Sequence, residues 1–344
     1  MGVPPSVFTQ CGRACCATCT VTLRRAPGRV ETVPLLPELR AVLDRAAAGP
    51  QPDFTAAIPD LRAQCDAGVI ATQSLVRDAG PLHDVRDLVA AGVPVRVYLP
   101  SAEPELAVHV HLHGGGWWMG SIATVDAMAR EIAARSGMAV VSVDYRLAPE
   151  HPYPAGLDDV CAVVRWIADA PTELGFRPST VSLGGESAGA NLTAAACLRL
   201  RDEGGPQPAA QWLDVGAFDL TVPRDASSQE FGSGYGLEMA HVDLLLSWYG
   251  TTDLTTEPYV SPAHAPDLTG LPPAIVTTAE CDPLRDQGER FAAALGEAGN
   301  DVLLRRAEGH MHASSWFTAL TPGTGQFFDE VVAELVARHQ VVRT

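Results

Sequence analysis

Gly185-Glu186-Ser187-Ala188-Gly189 is the stretch that decides the fold, because it sets a serine between a strand and a helix. The apolar run 181–184 precedes it, and the alanine-rich run 190–196 follows it. Such a turn must be tight to lift a hydroxyl out of a sheet, and a side chain two residues to either side would collide with the crossing strand and helix. The pattern therefore predicts a nucleophile elbow that exposes Ser187.

A glycine-rich loop lies upstream of this serine. The alternating run 108–112 resembles a strand and leads directly into His113-Gly114-Gly115-Gly116-Trp117-Trp118-Met119-Gly120. Adjacent glycines leave backbone N–H groups uncovered, and acyl transfer needs such donors where negative charge develops on a carbonyl oxygen. A strand followed by glycines is the order of an oxyanion loop, whose further donor is the N–H after the serine, here Ala188. A flexible glycine turn is the alternative interpretation.

A serine nucleophile also needs a histidine base and an acid that orients it, and both have candidates downstream. The strand-like run 274–278 ends in a loop that carries Glu280 and Asp282. The next strand-like run, 302–306, ends in a loop that carries His310 and His312. The chain order serine, acid, histidine is the order of the elbow-type hydrolases, so the sequence indicates a serine hydrolase.

Five segments together make the resemblance specific. The chain resembles the hormone-sensitive lipase family of α/β hydrolases, the bacterial esterases marked by an HGGG loop. The segments span roughly residues 80 to 320 in the family's order. They are His113–Trp117, Asp144–Pro152, Gly185–Leu192, Asp282–Asp286 and Glu308–His312.

The resemblance implies a role for each matching residue. Ser187 would be the nucleophile, Asp282 the acid before Pro283, and His312 the general base at the family's spacing from Gly309. That spacing selects His312 over His310, and the position before proline selects Asp282 over Glu280. The implied oxyanion donors are the N–H groups of Gly115, Gly116 and Ala188, with His113 and Gly114 supporting the loop.

Departures from the family pattern bear on the substrate rather than on the mechanism. Glu186 stands where aspartate is commoner, Ala190 where a second glycine is common, and 313–316 where glycine and phenylalanine are usual. None removes a catalytic group, but the last could reshape the pocket wall. The candidate substrate-pocket aromatics are Trp117, Trp118 and Trp316, and ordinary core packing is the alternative that we favour for any one of them.

The fold class expected is α/β, an α/β-hydrolase fold with a mostly parallel eight-stranded sheet, helices on both faces and a helical cap. The resemblance implies that two segments outside the strand-and-helix alternation form the cap. The expected divisions are an N-terminal extension at 1–33, a cap segment at 34–80, a catalytic core at 81–221 and 263–344, and an inserted cap segment at 222–262. The polar stretch 144–154 is expected to be a connection fixed by internal ion pairs.

Charge and cysteine content restrict partners and location. A net charge of −17 argues against binding nucleic acid or an anionic membrane surface. The sequence has no long apolar span and no signal-peptide pattern, so we expect a cytoplasmic protein. Cys16 and Cys19, near Cys11 and Cys15, have the spacing of half of a zinc site. No second pair of ligands with suitable spacing follows, so we expect a disordered extension that binds no metal.

The expected activity is hydrolysis of a small or medium acyl ester through an acyl-enzyme, without a cofactor. The partner is a small-molecule ester, and the resemblance also allows a homodimer. A lactonase, deacetylase, amidase or acyltransferase would use the same triad, so the sequence does not separate them. A capped ligand-binding protein without activity is a further alternative, although such relatives tend to lose a triad member and Ser187, Asp282 and His312 are all present.

Overall fold

The computed structural model describes residues 34–222 and 225–341. The predicted extension at 1–33, with its cysteine cluster, lies outside the described residues. Within the described ranges, no helix combines the length and the apolar character that crossing a membrane would require.

A single eight-stranded sheet forms the centre of the fold, in the order β1-β2-β4-β3-β5-β6-β7-β8. The strand β2 runs antiparallel to both of its neighbours, and all pairings from β4 to β8 are parallel. The predicted mostly parallel α/β-hydrolase sheet is therefore confirmed. The strands are β1 (Asp84–Ala90), β2 (Val93–Leu99), β3 (Glu105–Leu112), β4 (Ala139–Val143), β5 (Arg177–Glu186), β6 (Ala210–Asp214), β7 (Ala274–Cys281) and β8 (Val302–Met311).

Helices cover both faces of this sheet. Buried side chains of α3 and α9 pack with Trp212 and Ile275 on one face, whereas those of α4, α5 and α8 join the larger core cluster on the other. Two faces covered by helices are what a parallel sheet requires, since both of its surfaces are apolar. The helices are α1 (Pro37–Ala48), α2 (Ile58–Thr72), α3 (Asp126–Ser136), α4 (Ala155–Ala168), α5 (Ala188–Asp202), α6 (Ala226–Phe231), α7 (Val242–Tyr249), α8 (Arg285–Glu297) and α9 (Pro322–Val341).

The last strand differs from its prediction. We expected it to end near residue 306 and a loop to carry both histidines, but β8 continues to Met311. An irregularity between Ala279 and Cys281 lets Cys281 pair with Met311, so the ladder resumes beyond the expected end. His310 is consequently a strand residue, and His312 is the first residue after the strand.

The carboxyl ends of the central strands meet at one edge of the sheet. β3 leads into the glycine loop, β5 into Ser187, β7 into Asp282 and β8 into His312. In open α/β sheets, ligands bind beside these strand ends, and the predicted site residues lie there.

Candidate active site

Ser187 occupies a strained turn between β5 and α5. Its φ of 54° and ψ of −116° lie outside the regions that non-glycine residues favour. A Cβ on Gly185 would lie 2.3 Å from the carbonyl oxygen of Leu112, and one on Gly189 would lie 2.2 Å from the same atom. Only glycine fits at either position, so the end of β3 explains the glycine on each side of the serine.

The histidine after β8 contacts both the serine and the acid. Nε2 of His312 lies 3.0 Å from Oγ of Ser187, and Nδ1 lies 2.9 Å from Oδ2 of Asp282. A carboxylate only accepts hydrogen bonds, so Nδ1–H donates to Asp282 and leaves Nε2 to accept from the serine hydroxyl. Three residues from three separate strand ends thus form one continuous hydrogen-bonded chain.

Burial differs along this chain. The side chain of Asp282 is 1% exposed, whereas that of His312 is 12% exposed and Ser187 is half-buried. Burial lowers the pKa of His312, but the hydrogen-bonded Asp282 carboxylate, with Asp214 acting at longer range, raises it above its ordinary value overall. The imidazole is therefore a stronger base than a free histidine, and part of its side chain remains exposed.

The two alternative residues have other partners. His310 is buried, and its Nδ1 lies 3.0 Å from Oγ of Ser314. Glu280 is also buried, and its carboxylate forms ion pairs with Arg285 and Arg306. The geometry thus brings His312 and Asp282, rather than His310 and Glu280, to Ser187.

The glycine loop turns sharply beside the serine. Gly115 has a φ of 111°, and a Cβ there would lie 2.3 Å from the carbonyl oxygen of Met119. Gly116 has a φ of 57°, in the left-handed region that favours glycine, and a Cβ there would lie 3.2 Å from Cδ1 of Leu245. In the described part of the chain, the hydrogen bonds provide no acceptor for the N–H groups of Gly115, Gly116 and Ala188. These three N–H groups are therefore the candidate oxyanion donors.

The start of the loop is held by buried rings. The ring of His113 stacks on Tyr145 at 4.2 Å, and the tyrosine hydroxyl donates to the carbonyl oxygen of His113 at 2.8 Å. Nδ1 of His113 lies 2.7 Å from the carbonyl oxygen of Gly114. Burial lowers the pKa of His113 to about 4, so the ring is neutral at physiological pH and donates from Nδ1. These contacts fix His113 and the start of the glycine loop against Tyr145.

Glu186 joins the glycine loop to the serine turn. Its Oε1 accepts a hydrogen bond from the backbone N–H of Gly114 at 3.2 Å. Burial raises the pKa of Glu186 to about 8, so the carboxyl is mostly neutral at pH 7. A neutral carboxyl can fix the loop without adding negative charge beside the donors.

Two residues of α2 brace the far end of the glycine loop. Nε of Arg62 donates to the carbonyl oxygen of Trp118 at 2.6 Å, and its Nη2 donates to that of Ala148 at 3.0 Å. Oδ1 of Asp66 accepts from the N–H of Gly120 at 2.9 Å. An N-terminal helix therefore fixes the path of the loop that carries the candidate oxyanion donors.

Only two of the three predicted pocket tryptophans lie on the glycine loop. Trp117 stacks on Tyr249 at 4.5 Å, and Trp118 meets Trp248 edge to face at 5.0 Å. Trp316 instead packs in the core against Trp212 and Phe328. Its indole N–H donates to Asp214, so the placement favours a packing role for Trp316 over a pocket wall.

Residues of the inserted segment contact the glycine loop and the N-terminal segment. Cδ1 of Leu245, on α7, would lie 3.2 Å from a Cβ on Gly116. Phe54 stacks on His241 at 4.2 Å, which joins the N-terminal segment to the insertion. The insertion therefore contacts both the glycine loop and the N-terminal segment.

The polar stretch 144–154 forms ion pairs with residues outside the stretch rather than within it. Arg146 pairs with Asp159 on α4 at 2.7 Å, and Glu150 pairs with Arg62 on α2 at 2.6 Å. The expected ion pairs exist, but their partners lie on helices outside the stretch. The prediction of internal pairs was wrong because the partners are distant in sequence and close only after folding.

Sequence reasoning missed the bracing residues Arg62 and Asp66 and the buried Asp214. Nothing in the local pattern distinguishes Arg62 and Asp66 from exposed charges on an ordinary helix. Asp214 carried a readable signal, since it ends the apolar strand Ala210–Asp214, where a charge needs a partner. Among the described residues, no cluster of His, Cys, Asp and Glu has the arrangement of a metal site.

Comparison with known proteins gives consistent matches. A family model described as the α/β hydrolase fold matches residues 109–315. Carboxylesterase NlhH of Mycobacterium tuberculosis is 41% identical over 242 residues, which cover 68% of this chain and 75% of that protein. Carboxylic ester hydrolase LipN of the same organism is 37% identical over 302 residues, which cover 83% of this chain and 76% of LipN.

A solved structure extends the match to the tertiary fold. An esterase of Pyrobaculum calidifontis superimposes with a TM-score of 0.81 at 33% identity. The match covers 88% of this chain and 99% of the archaeal chain. The similarity therefore includes the sheet and most of the segments that cover it.

Proposed function

The chain belongs to the hormone-sensitive lipase family of α/β hydrolases, and from that premise we propose that it is a serine carboxylic-ester hydrolase with Ser187, His312 and Asp282 as its triad. The observation that carries the proposal is the imidazole of His312, which contacts the serine hydroxyl and the buried carboxylate at once. Nucleophile, base and orienting acid are the three roles that this chemistry needs.

The reaction begins when Ser187 Oγ attacks the ester carbonyl carbon and its proton passes to Nε2 of His312. Negative charge develops on the carbonyl oxygen, where the N–H groups of Gly115, Gly116 and Ala188 donate. The tetrahedral intermediate collapses, and His312 returns the proton to the leaving alcohol. Water activated by the same imidazole then hydrolyses the acyl-enzyme and restores the serine.

We assign a cap role to residues 34–80 and 222–262. The contact between Phe54 and His241 and the position of Leu245 above Gly116 support this assignment. A cap excludes water from the oxyanion donors, which strengthens their hydrogen bonds to the developing charge. Leu245 and Trp118 would lie 3.2 and 3.3 Å from a Cβ on Gly116, so they narrow the space beside the loop, which favours small or medium acyl groups.

Hydrolysis of p-nitrophenyl butyrate at pH 8 tests the proposal. The parent should be active, and Ser187→Ala should lose at least about 10³-fold in kcat. Ser142→Ala is a matched control, because Ser142 is a buried serine on β4 whose hydroxyl has no partner among the described residues. Hydrolysis that survives in Ser187→Ala, or an inactive parent, would contradict the proposal. Lactone, amide and thioester substrates then separate the ester hydrolase from the alternatives that share its triad.

A further inference from the structure

Asp214 is a buried carboxylate that the proposed mechanism does not use. It is the last residue of β6 and is 2% exposed. Its Oδ2 accepts from the indole N–H of Trp316 at 2.6 Å and from the hydroxyl of Ser315 at 3.2 Å, while its Oδ1 accepts from the hydroxyl of Thr277. Three donors from two other parts of the chain therefore converge on one carboxylate.

The position of Asp214 connects the segments that carry all three triad residues. Its backbone carbonyl accepts the N–H of Ser187 at 2.8 Å. Thr277 lies on β7, which leads to Asp282, and Ser315 and Trp316 follow His312 by three and four residues. Asp214 thus touches the serine turn, the strand before the acid and the loop of the base.

The contacts with Asp214 explain the unusual sequence after His312. Ser315 and Trp316 belong to the stretch that departs from the family pattern, and each supplies a side-chain donor to Asp214. A phenylalanine in place of Trp316 would fill the core but could not donate. Ser315, Trp316 and the buried carboxylate of Asp214 therefore form one hydrogen-bonded unit.

The negative charge of Asp214 raises the pKa of His312. The titratable groups that interact with Asp214 are His312 and Glu186. Burial raises the pKa of Asp214 to about 6, against the effect of its three hydrogen bonds, so the carboxylate is ionised at pH 8. A buried anion near the imidazole favours its protonated form, which is the form that develops in the transition state.

We propose that Asp214 is a positioning residue for His312, which anchors the base loop through Ser315 and Trp316 and stabilises the imidazolium as a second anion besides Asp282. This inference rests on the proposed role of His312 as the base. Asp214 does not touch the substrate in this scheme and acts only through the histidine.

The test is the pH profile of kcat/KM for p-nitrophenyl butyrate in Asp214→Asn. Asparagine can present Oδ1 to Ser315 and Trp316 and Nδ2 to the hydroxyl oxygen of Thr277, so it keeps the hydrogen bonds and removes the charge. We expect kcat at pH 8 to fall roughly tenfold, which corresponds to ~1.4 kcal/mol, with KM unchanged. The acid limb of the profile should move to lower pH, because the imidazolium loses a stabilising anion.

Asp301→Asn is the matched control. It removes one negative charge at the opposite edge of the sheet, where Asp301 precedes β8 and is 64% exposed. Its profile should coincide with that of the parent. A folded Asp214→Asn with the parent's kcat and acid limb overturns the inference, and so does an equal shift in the control. If the parent is inactive or Ser187→Ala remains active, the proposed function fails instead.

Trp316→Phe covers the case in which Asp214→Asn does not fold. It removes the indole donor, keeps an aromatic ring in the core and leaves the carboxylate in place. We expect a fall in kcat of about 3- to 10-fold with KM unchanged, because the base loop loses one anchor. An unchanged kcat in folded Trp316→Phe would overturn the anchoring role.

Discussion

The carboxyl of Glu186 accepts a hydrogen bond from the backbone N–H of Gly114 at 3.2 Å, so the residue before the proposed nucleophile holds the loop that carries two of the proposed oxyanion donors. The contact links donors that are about 70 residues apart in sequence. This bond is one of the contacts that set their relative geometry, since Ala188 belongs to the serine turn and Gly115 to the loop.

Substitutions of Glu186 should distinguish the effect of its hydrogen bond to Gly114 from the effect of its charge. Glu186→Gln keeps an acceptor of the same length and should stay close to the parent in kcat at pH 7. Glu186→Ala leaves the N–H of Gly114 unpaired and should lose about 10- to 100-fold in kcat/KM. Steady-state hydrolysis at pH 7 measures both, and equal activity of Glu186→Ala and parent would contradict the role.

The same residue should affect the alkaline limb. Because the pKa of Glu186 is raised to about 8, the carboxyl becomes an anion above that pH, close to where the oxyanion forms. We expect kcat of the parent to decline above pH 8 and Glu186→Gln to lack that decline. A decline of the same size in both proteins would assign it to another group.

The brace from α2 should affect turnover without touching the substrate. Arg62→Ala removes the donors to Trp118 and Ala148, so we expect kcat to fall roughly tenfold. Arg45→Ala, at an exposed position on α1, is the control and should behave as the parent. Asp66→Asn should retain more activity than Asp66→Ala, because asparagine still accepts from Gly120. Equal losses at Arg62 and Arg45 would point to a general charge effect.

The side chain above Gly116 should set the acyl preference. Leu245→Ala opens space beside the loop, so we expect the ratio of kcat/KM for p-nitrophenyl octanoate over butyrate to rise several-fold. Leu244→Ala is the matched control, because Leu244 lies on the same helix and is 36% exposed. A ratio that changes equally in both variants would show that α7 acts only through its stability.

The acid limb of kcat/KM should lie above the ordinary histidine pKa of about 6.5. The pKa of His312 is raised, so its basic form is lost earlier as the pH falls. Below that pKa, kcat/KM should drop tenfold per pH unit. A limb at or below the pKa of free histidine in the active parent would contradict the electrostatic account.

Buried histidines on β3 should make the fold sensitive to acid. Burial lowers the pKa of His111 to about 3, and neither of its ring nitrogens has a partner in the described part of the chain. Between that value and the unfolded pKa of about 6.5, the unfolded chain binds the extra proton, so His111 costs stability as the pH falls through this window. At pH 8 the ring is neutral in both states and this contribution vanishes.

His111→Phe should remove that pH dependence. The variant keeps a ring against Trp316, and its free energy of unfolding should vary less between pH 6.5 and 4, by up to about 1.4 kcal/mol per pH unit. Urea titrations at several pH values measure the slope. Identical slopes for the variant and the parent would remove His111 from the acid response.

The sequence by itself determined the features that depend on local rules. The alternation of strand-like and helical patterns predicted all eight strands of the sheet. Strands that are buried along their whole length, such as Ala139–Val143, need a largely apolar run, whereas the outer strands keep exposed positions. The glycines on either side of Ser187 predicted the tight turn, and the structure gives the reason, because no other residue fits against the carbonyl oxygen of Leu112. The order of Ser187, Asp282 and His312 placed the candidate triad before any distance was known.

The tertiary structure alone decided which polar side chains meet. Arg62 reaches Trp118, and Asp214 reaches Trp316, across separations that no sequence pattern encodes. It also packed Trp316 against Trp212 and Phe328, and it carried β8 through to Met311. Strand propensity and motif spacing act between neighbours in sequence, whereas hydrogen bonds between buried groups are set by where the packed sheet and helices bring distant residues together.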